Sequence, residues 1–256
     1  MTDDVLITER HGHVALLRLN RPERLNALSE PLIGALRVGL DAAVDDAGIV
    51  ALVITGAGRA FCAGGDLEML TAWQDLTARE RRMRYVDAAA LALRLAELPI
   101  PVVAAVNGPA AGAGFDLALA ADLCLAARSA TFMSGFVGMG LVPDLGGTWW
   151  LPRMIGMSRA RRLVLGGERL DATTACTWGI AERVVEEDRL IDEAIDAAAK
   201  LASLGTPPAY SEAKLALLAS TQSLADSLAQ TALAQSLLMD TPEHKQRVQQ
   251  FLAPAR

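Results

Sequence analysis

Cysteine is scarce. Cys62, Cys124 and Cys176 are the only three in 256 residues; they are odd in number, far apart and without a CxxC pair. That argues against a disulfide framework and a structural zinc site, and fits reduced thiols in the cytoplasm. Histidine is equally sparse, at His11, His13 and His244, with no His/carboxylate cluster at metal-ligand spacing. Metal catalysis therefore lacks a donor set, and the expectation is no metal and no resident cofactor. No GxSxG supplies a serine nucleophile elbow. Apolar runs long enough to cross a bilayer are missing. The opening MTDDVLITER lacks the basic start and apolar stretch of a signal peptide, so no membrane partner is expected. Positive charge is in deficit, with 24 Lys and Arg against 30 Asp and Glu, a net −6. A nucleic-acid backbone is therefore not expected as the main partner. The one basic run, ARERRMR at 78–84, either pairs with neighbouring acids or reaches phosphates. Aromatics make up 4 %, and the adjacent Trp149 and Trp150 read as core or subunit contact rather than a stacking platform.

Apolar bulk, by contrast, is ample: 52 % of the chain, enough for a sizeable core near the upper size of one domain. Strands are expected at 5–8 and 14–19 around a turn at His11-Gly12. Ser29 caps a helix over 30–44. Further strands are expected at 49–55, 100–108, 123–126 and 131–133, with helices at 67–73, 78–98 and 117–121. Pro99 stops the second of these helices. From Gly146 the chain reads as mostly helical with a strand near 184–185, and beyond Leu190 as helix alone. Short strands alternating with helices make this an α/β fold with crossovers. LGTPP at 204–208 is the best hinge, dividing a core over 1–203 from a C-terminal helical region over 204–256.

Two units repeat one design: a strand ends, a glycine-rich turn follows, and a helix begins. The first is RAFCAGGDL, with Gly64-Gly65-Asp66; the second is PAAGAGFDL, with Gly112-Ala113-Gly114. The first N–H groups of a helix lack intrahelical partners and carry partial positive charge. Two of them aimed at one point hold an oxyanion. Either turn alone is equally an ordinary tight turn. A dinucleotide fingerprint does not fit, because the third glycine of GxGxxG is missing.

These motifs together resemble the enoyl-CoA hydratase/isomerase family, the crotonase superfamily. The resemblance runs through RLNRPERLNALS (18–29), ALVITGAGRAFCAGGDL (51–67), PIPVVAAVNGPAAGAGFDLALAADLCLA (99–126), GLVPDLGGTWWLPRMIG (140–156) and LGGERLDATTACTWGIAERVV (165–185), in the family's order. It implies the crotonase (ClpP-like) fold of repeated ββα units with a C-terminal helical trimerisation region. It also implies an acyl-CoA thioester substrate, with coenzyme A as part of that substrate. By resemblance the enolate oxygen sits between the N–H groups of Gly65 and Ala113. Arg24, Leu25, Ala63, Asp66 and Leu67 match positions around the adenine and pantetheine of CoA, although Arg24 reads equally as a solvated charge. The family's trimers and hexamers imply a homo-oligomer here, with Phe251 near a CoA site.

The carboxylates bear on the reaction. Family hydratases place one Glu where this chain has Asp116 and a second where it has Phe136. Phe moves no proton, so the two-Glu arrangement is absent. Asp144, in GLVPDLGG, matches the base position of the family's isomerases, and its flanks are closest in pattern to the isomerases of ring-epoxide intermediates in phenylacetate breakdown. That subgroup often lacks a carboxylate at the site of Asp116, and dienoyl-CoA isomerases keep a Glu at the site of Phe136. The expected activity is double-bond isomerisation by carboxylate proton shuttling. The alternative is hydration, with Asp116 and Asp144 holding the water. For Asp144 a turn-forming role that caps the helix after Gly146 stays open. Asp116 also suits a helix N-terminus without any function. Hydrolase, dehalogenase and decarboxylase chemistries use the same oxyanion hole, and an RNA-binding or scaffolding relative is the non-enzymatic alternative.

Overall fold

The computed structural model describes residues 4–220 and 223–252. Strands β1 (Leu6–His11) and β2 (Val14–Leu19) form a hairpin. Then follow α1 (Glu30–Asp45), β3 (Ala51–Gly56), α2 (Leu67–Ala72), α3 (Ala78–Ala96) and β4 (Val102–Val106). Next come β5 (Pro109–Ala111), α4 (Ala113–Leu119), β6 (Leu123–Ala127) and β7 (Thr131–Met133). The remainder is α5 (Gly147–Gly166), β8 (Arg169–Asp171), α6 (Ala172–Trp178), β9 (Arg183–Val185), α7 (Leu190–Leu204), α8 (Pro207–Leu218), α9 (Leu224–Leu238) and α10 (Pro242–Leu252).

Six strands form the main sheet in the order β1-β2-β3-β4-β6-β9, parallel throughout except for the β1–β2 hairpin. All residues of β3 and β4 are buried, as expected of parallel strands covered on both faces. Their side chains alternate between two cores. Leu52, Ile54, Val102 and Ala104 join Leu32 and Leu36 of α1 and Leu91 and Leu95 of α3. Val53, Val103 and Ala105 face the other way, onto Leu190, Ala194 and Ala198, one stripe of α7. A smaller sheet, β5-β7-β8, stands apart and carries the second glycine-rich turn.

Local signals explain the helix starts. Ser29 Oγ accepts from Leu32 N at the head of α1, and Thr77 with Glu80 forms a capping box on α3. The helix α3 ends at Ala96, two residues short of expectation, because the residue before Pro99 is pushed out of helical geometry. The tail is tied to the sheet. Lys214 of α8 is buried and donates to Asp122 Oδ2 (2.6 Å) and to the Ile100 carbonyl (2.9 Å) just ahead of β4.

Other boundaries differ from the sequence reading. The β1–β2 turn is centred on Gly12 and His13, β3 starts at Ala51 instead of 49, and β4 keeps only five of the nine expected residues. The helix α4 opens at Ala113, four residues ahead of 117. The strands β5 and β8 lie outside every expectation: each has three residues, and PAA contains no β-former. Neighbouring chain segments supply their pairing, which no local pattern announces. No described helix is long and apolar enough to cross a membrane.

Candidate active site

Three loop segments are zipped together to build the site. Leu28 N donates to Gly64 O (2.7 Å), and Asp66 N donates to Leu28 O (3.0 Å). Ala111 N donates to Cys62 O (2.9 Å). The two glycine-rich turns thus lie against each other. Their glycines follow from that closeness: a Cβ on Gly114 would stand 2.2 Å from the Cys62 carbonyl oxygen, and one on Gly64 2.9 Å from that of Ala111. Gly64 (φ 101°) and Gly112 (φ 53°) also occupy backbone regions open to glycine.

Within this zipped region the N–H groups of Gly65 and Ala113 donate to no acceptor among the described residues. Both residues line a cleft of about 520 Å³. Ala113 heads α4, so its N–H carries the helix's positive end. Behind it lies a small, mostly apolar cavity of about 30 Å³, lined in part by Leu70, Trp73, Tyr85, Ala113 and Asp144. Asp144 is the one carboxylate that lines both spaces.

The two aspartates sit in different settings. Asp144 has a buried Oδ1 without a hydrogen-bond partner among the described residues, and burial raises its pKa to about 6. It does not cap α5, whose N-cap is Gly146 without any side-chain bond. Asp116 is fully buried on α4 and lines neither the cleft nor the small cavity. Its Oδ2 accepts from Leu145 N at 3.2 Å, and its Oδ1 would lie 2.2 Å from a Cβ on Gly147. Asp116 therefore underpins the loop that presents Asp144. Burial lifts its pKa to about 7 against the pull of the Gly147 and Leu145 N–H groups, with Asp144's charge adding to the rise.

An apolar-backed cleft with two free N–H groups and one carboxylate of raised pKa can stabilise an oxyanion and move a proton beside it. The sequence profile described as Enoyl-CoA hydratase/isomerase matches residues 9–253. The chain belongs to the enoyl-CoA hydratase/isomerase family. It is 45 % identical over 196 residues to the 1,2-epoxyphenylacetyl-CoA isomerase of Escherichia coli (strain K12), covering 75 % of this chain and 74 % of that one. It superposes on the crystal structure of an enoyl-CoA hydratase from Polaromonas sp. JS666 with a TM-score of 0.89 at 32 % identity, covering 96 % of each chain. An enoyl-CoA hydratase structure from Bacillus anthracis gives 0.87 at 32 % identity, covering 96 % of this chain and 95 % of that one. The chain is thus an enzyme of the crotonase fold.

Most positions that resemblance assigned to this family's site lie along the cleft: Arg24, Leu25, Ala63, Gly65, Asp66, Leu67, Gly112, Ala113, Phe136 and Asp144. Gly114 is not among its lining residues; it packs against Cys62 behind the turn. Two side chains are already engaged. Asp66 N-caps α2 through Glu68 N and Met69 N and pairs with Arg21 at 2.7 Å. Arg24 pairs with Glu68 at the exposed rim. The basic run is likewise partly paired, Arg84 with Glu30 (3.5 Å) and Arg81 with the Gln74 carbonyl (3.1 Å). The side chain of Phe251 lies outside the described residues.

Sequence reasoning missed Asn26, Asn107, Trp73 and Tyr85. Asn26 is fully buried at φ 57°; its Nδ2 donates to Ala57 O and Ala60 O, both 2.8 Å, and its Oδ1 accepts from Arg21 N. Asn107 fixes the same loop by donating to Gly58 O and accepting from Gly56 N. For Asn26 the available signal was residue type alone, since Asn tolerates the left-handed region.

Asp116 makes a pH prediction. Its folded pKa, about 7, lies above the ordinary carboxylate value, so the folded state holds the proton more tightly. The stability it contributes is complete below about pH 4 and is lost as pH rises through 7, at roughly 1.4 kcal/mol per pH unit inside that window. Asp116→Asn, neutral at every pH, is expected to flatten this dependence and to raise Tm at pH 8 by about 5 °C relative to the wild type. Thermal unfolding at pH 5 and pH 8 reads it; parallel curves for the two proteins would remove the buried proton from Asp116.

Proposed function

We propose that this enzyme shifts the double bond of an enoyl-CoA thioester. The observation that carries the reading is Asp144: a single carboxylate of raised pKa that lines both the cleft beside Gly65 and Ala113 and the apolar cavity behind them. The thioester oxygen accepts from the Gly65 and Ala113 N–H groups, which makes the adjacent C–H acidic. For a 3-enoyl substrate the Asp144 carboxylate takes the α proton. The charge spreads into a dienolate ending on the thioester oxygen. The Asp144 carboxylic acid then returns the proton to the γ carbon, giving the 2-enoyl thioester with no net loss or gain of atoms. Phe136 lines the cleft where a second carboxylate would otherwise compete.

Turnover in heavy water, followed by NMR, tests the reading. Substrate deuterated at the α carbon is expected to carry that deuterium to the γ carbon of the product through Asp144. In heavy water the same positions gain solvent deuterium to the extent that the Asp144 acid exchanges before it gives its proton up. Hydroxyacyl product without γ label would replace isomerisation by hydration. One observation favours that second reading: the 30 Å³ cavity has room for a water, with Asp144 and the Tyr85 hydroxyl as polar partners.

Assembly belongs to the same proposal. Leu224, Leu228, Leu233 and Leu237 of α9 are 60 % or more exposed, more apolar surface than a solvated helix leaves bare. A homotrimer or hexamer covers it. Light scattering at micromolar concentration is expected to return three or six times the 27.0 kDa chain mass, and a monomer would sink the idea.

A further inference from the structure

Behind the small cavity lies a third space. A chamber of about 210 Å³ opens on the far side, rimmed by the Arg37–Asp87 ion pair (2.8 Å) and the Arg84–Glu30 pair (3.5 Å). It shares three wall residues with the small cavity: Ile33, Trp73 and Ala88. The cleft in turn shares Leu70, Ala113 and Asp144 with the small cavity. The three spaces therefore run in sequence, from the oxyanion donors to the far surface of α1 and α3. Trp73 has by far the largest side chain in the shared wall, and it is 6 % exposed. Two contacts hold its indole still. Its Nε1 donates to Glu30 Oε1 at 3.0 Å, and the Tyr85 ring meets it edge-on at 5.2 Å between centroids.

We propose that Trp73 sets the size of acyl group the site accepts, closing a short pocket that the fold would otherwise continue into the outer chamber. This rests on the acyl-CoA reading above. With Trp73 in place the branch of the site between Asp144 and the indole is about 30 Å³, two water-sized groups at roughly 10–15 Å³ each; a separate space of about 730 Å³ opens from Asp144 toward Trp149, Trp150 and α8. An acyl group that enters the Trp73 branch is therefore short or compact. Removing the indole joins the small cavity to the chamber, past the apolar walls of Ile33 and Ala88, and admits a longer chain.

Saturated thioesters, which bind without reacting, separate the possibilities. Isothermal titration calorimetry compares butyryl-CoA with octanoyl-CoA on the full-length wild type, Trp73→Ala and Trp73→Leu. The wild type is expected to bind butyryl-CoA at least as tightly as octanoyl-CoA. Each variant should shift the ratio toward octanoyl-CoA by about tenfold, the effect of burying roughly two further methylenes. Trp73→Leu keeps enough bulk to stand in if Trp73→Ala does not fold. A wild type that binds neither thioester overturns the acyl-CoA reading and this inference with it. A wild type that binds, with folded variants whose chain-length ratio is unchanged, overturns the gate alone. A wild type that already prefers octanoyl-CoA also overturns the gate.

Discussion

Asp144→Asn is expected to lower enoyl-CoA isomerisation by about a thousandfold while leaving acyl-CoA binding nearly intact. Asn keeps the size of the side chain and its hydrogen-bonding oxygen, but it cannot accept the substrate proton. The loss should fall on kcat with KM little changed, the pattern of an interaction made in the transition state. The wild-type acid limb supplies an independent mark. Only the ionised carboxylate is a base, so kcat/KM should rise with pH through about 6, the value to which burial lifts Asp144. Asp116→Asn is the comparison. Asp116 supports the Asp144 loop through Leu145 N and does not line the cleft, so its Asn variant should lose far less activity. Equal losses in both variants, with hydroxyacyl-CoA as the wild-type product, would make the two carboxylates a water-activating pair. Full activity in Asp144→Asn would reject it as the base under either reading.

Much of the molecule was legible because its signals are local. The limits of β2 and β7 match the expectation to the residue, and Ser29, Asp66 and Thr77 cap helices that begin where the sequence suggests. The glycine-rich turns were visible because a close backbone approach admits no side chain, and the structure supplies the atoms they avoid, the carbonyls of Cys62 and Ala111. What stayed hidden depends on residues far apart in the chain. Nothing near Trp73 shows that Glu30 holds its indole or that Tyr85 meets its face, because α1 and α3 bring those groups in. The separate roles of Asp116 and Asp144 were hidden for the same reason. Both suit catalysis by residue type, and only the bond to Leu145 N and the lining of the cleft tell the carboxylate sealed under the loop from the one that lines the cleft. Resemblance could place both on family positions; it could not show that Asp116 is sealed beneath the loop.

Gly65→Pro is expected to reduce kcat/KM by a hundredfold or more, because it deletes one of the two proposed oxyanion donors. The position suits the experiment. Leu28 bonds to Gly64 O and to Asp66 N, on either side of residue 65, so the bridge that holds the turn does not use the Gly65 N–H. A side chain also has room there, since a Cβ would meet only Leu70, at 3.4 Å or more. Gly65→Ala is therefore the control for bulk: it keeps the N–H, adds the methyl, and should retain most activity. The difference between the two variants isolates the donor. Because the enolate carries more charge on oxygen than the ground-state thioester does, the Pro variant should lose more in kcat than in affinity for a saturated acyl-CoA. Circular dichroism and Tm establish that each variant is folded before rates are compared. A folded Gly65→Pro enzyme turning over at the Gly65→Ala rate would move the oxyanion away from this turn. The free N–H at Gly65 would then be explained by the close packing of the two loops alone, with Ala113, at the positive end of α4, left as the single backbone donor.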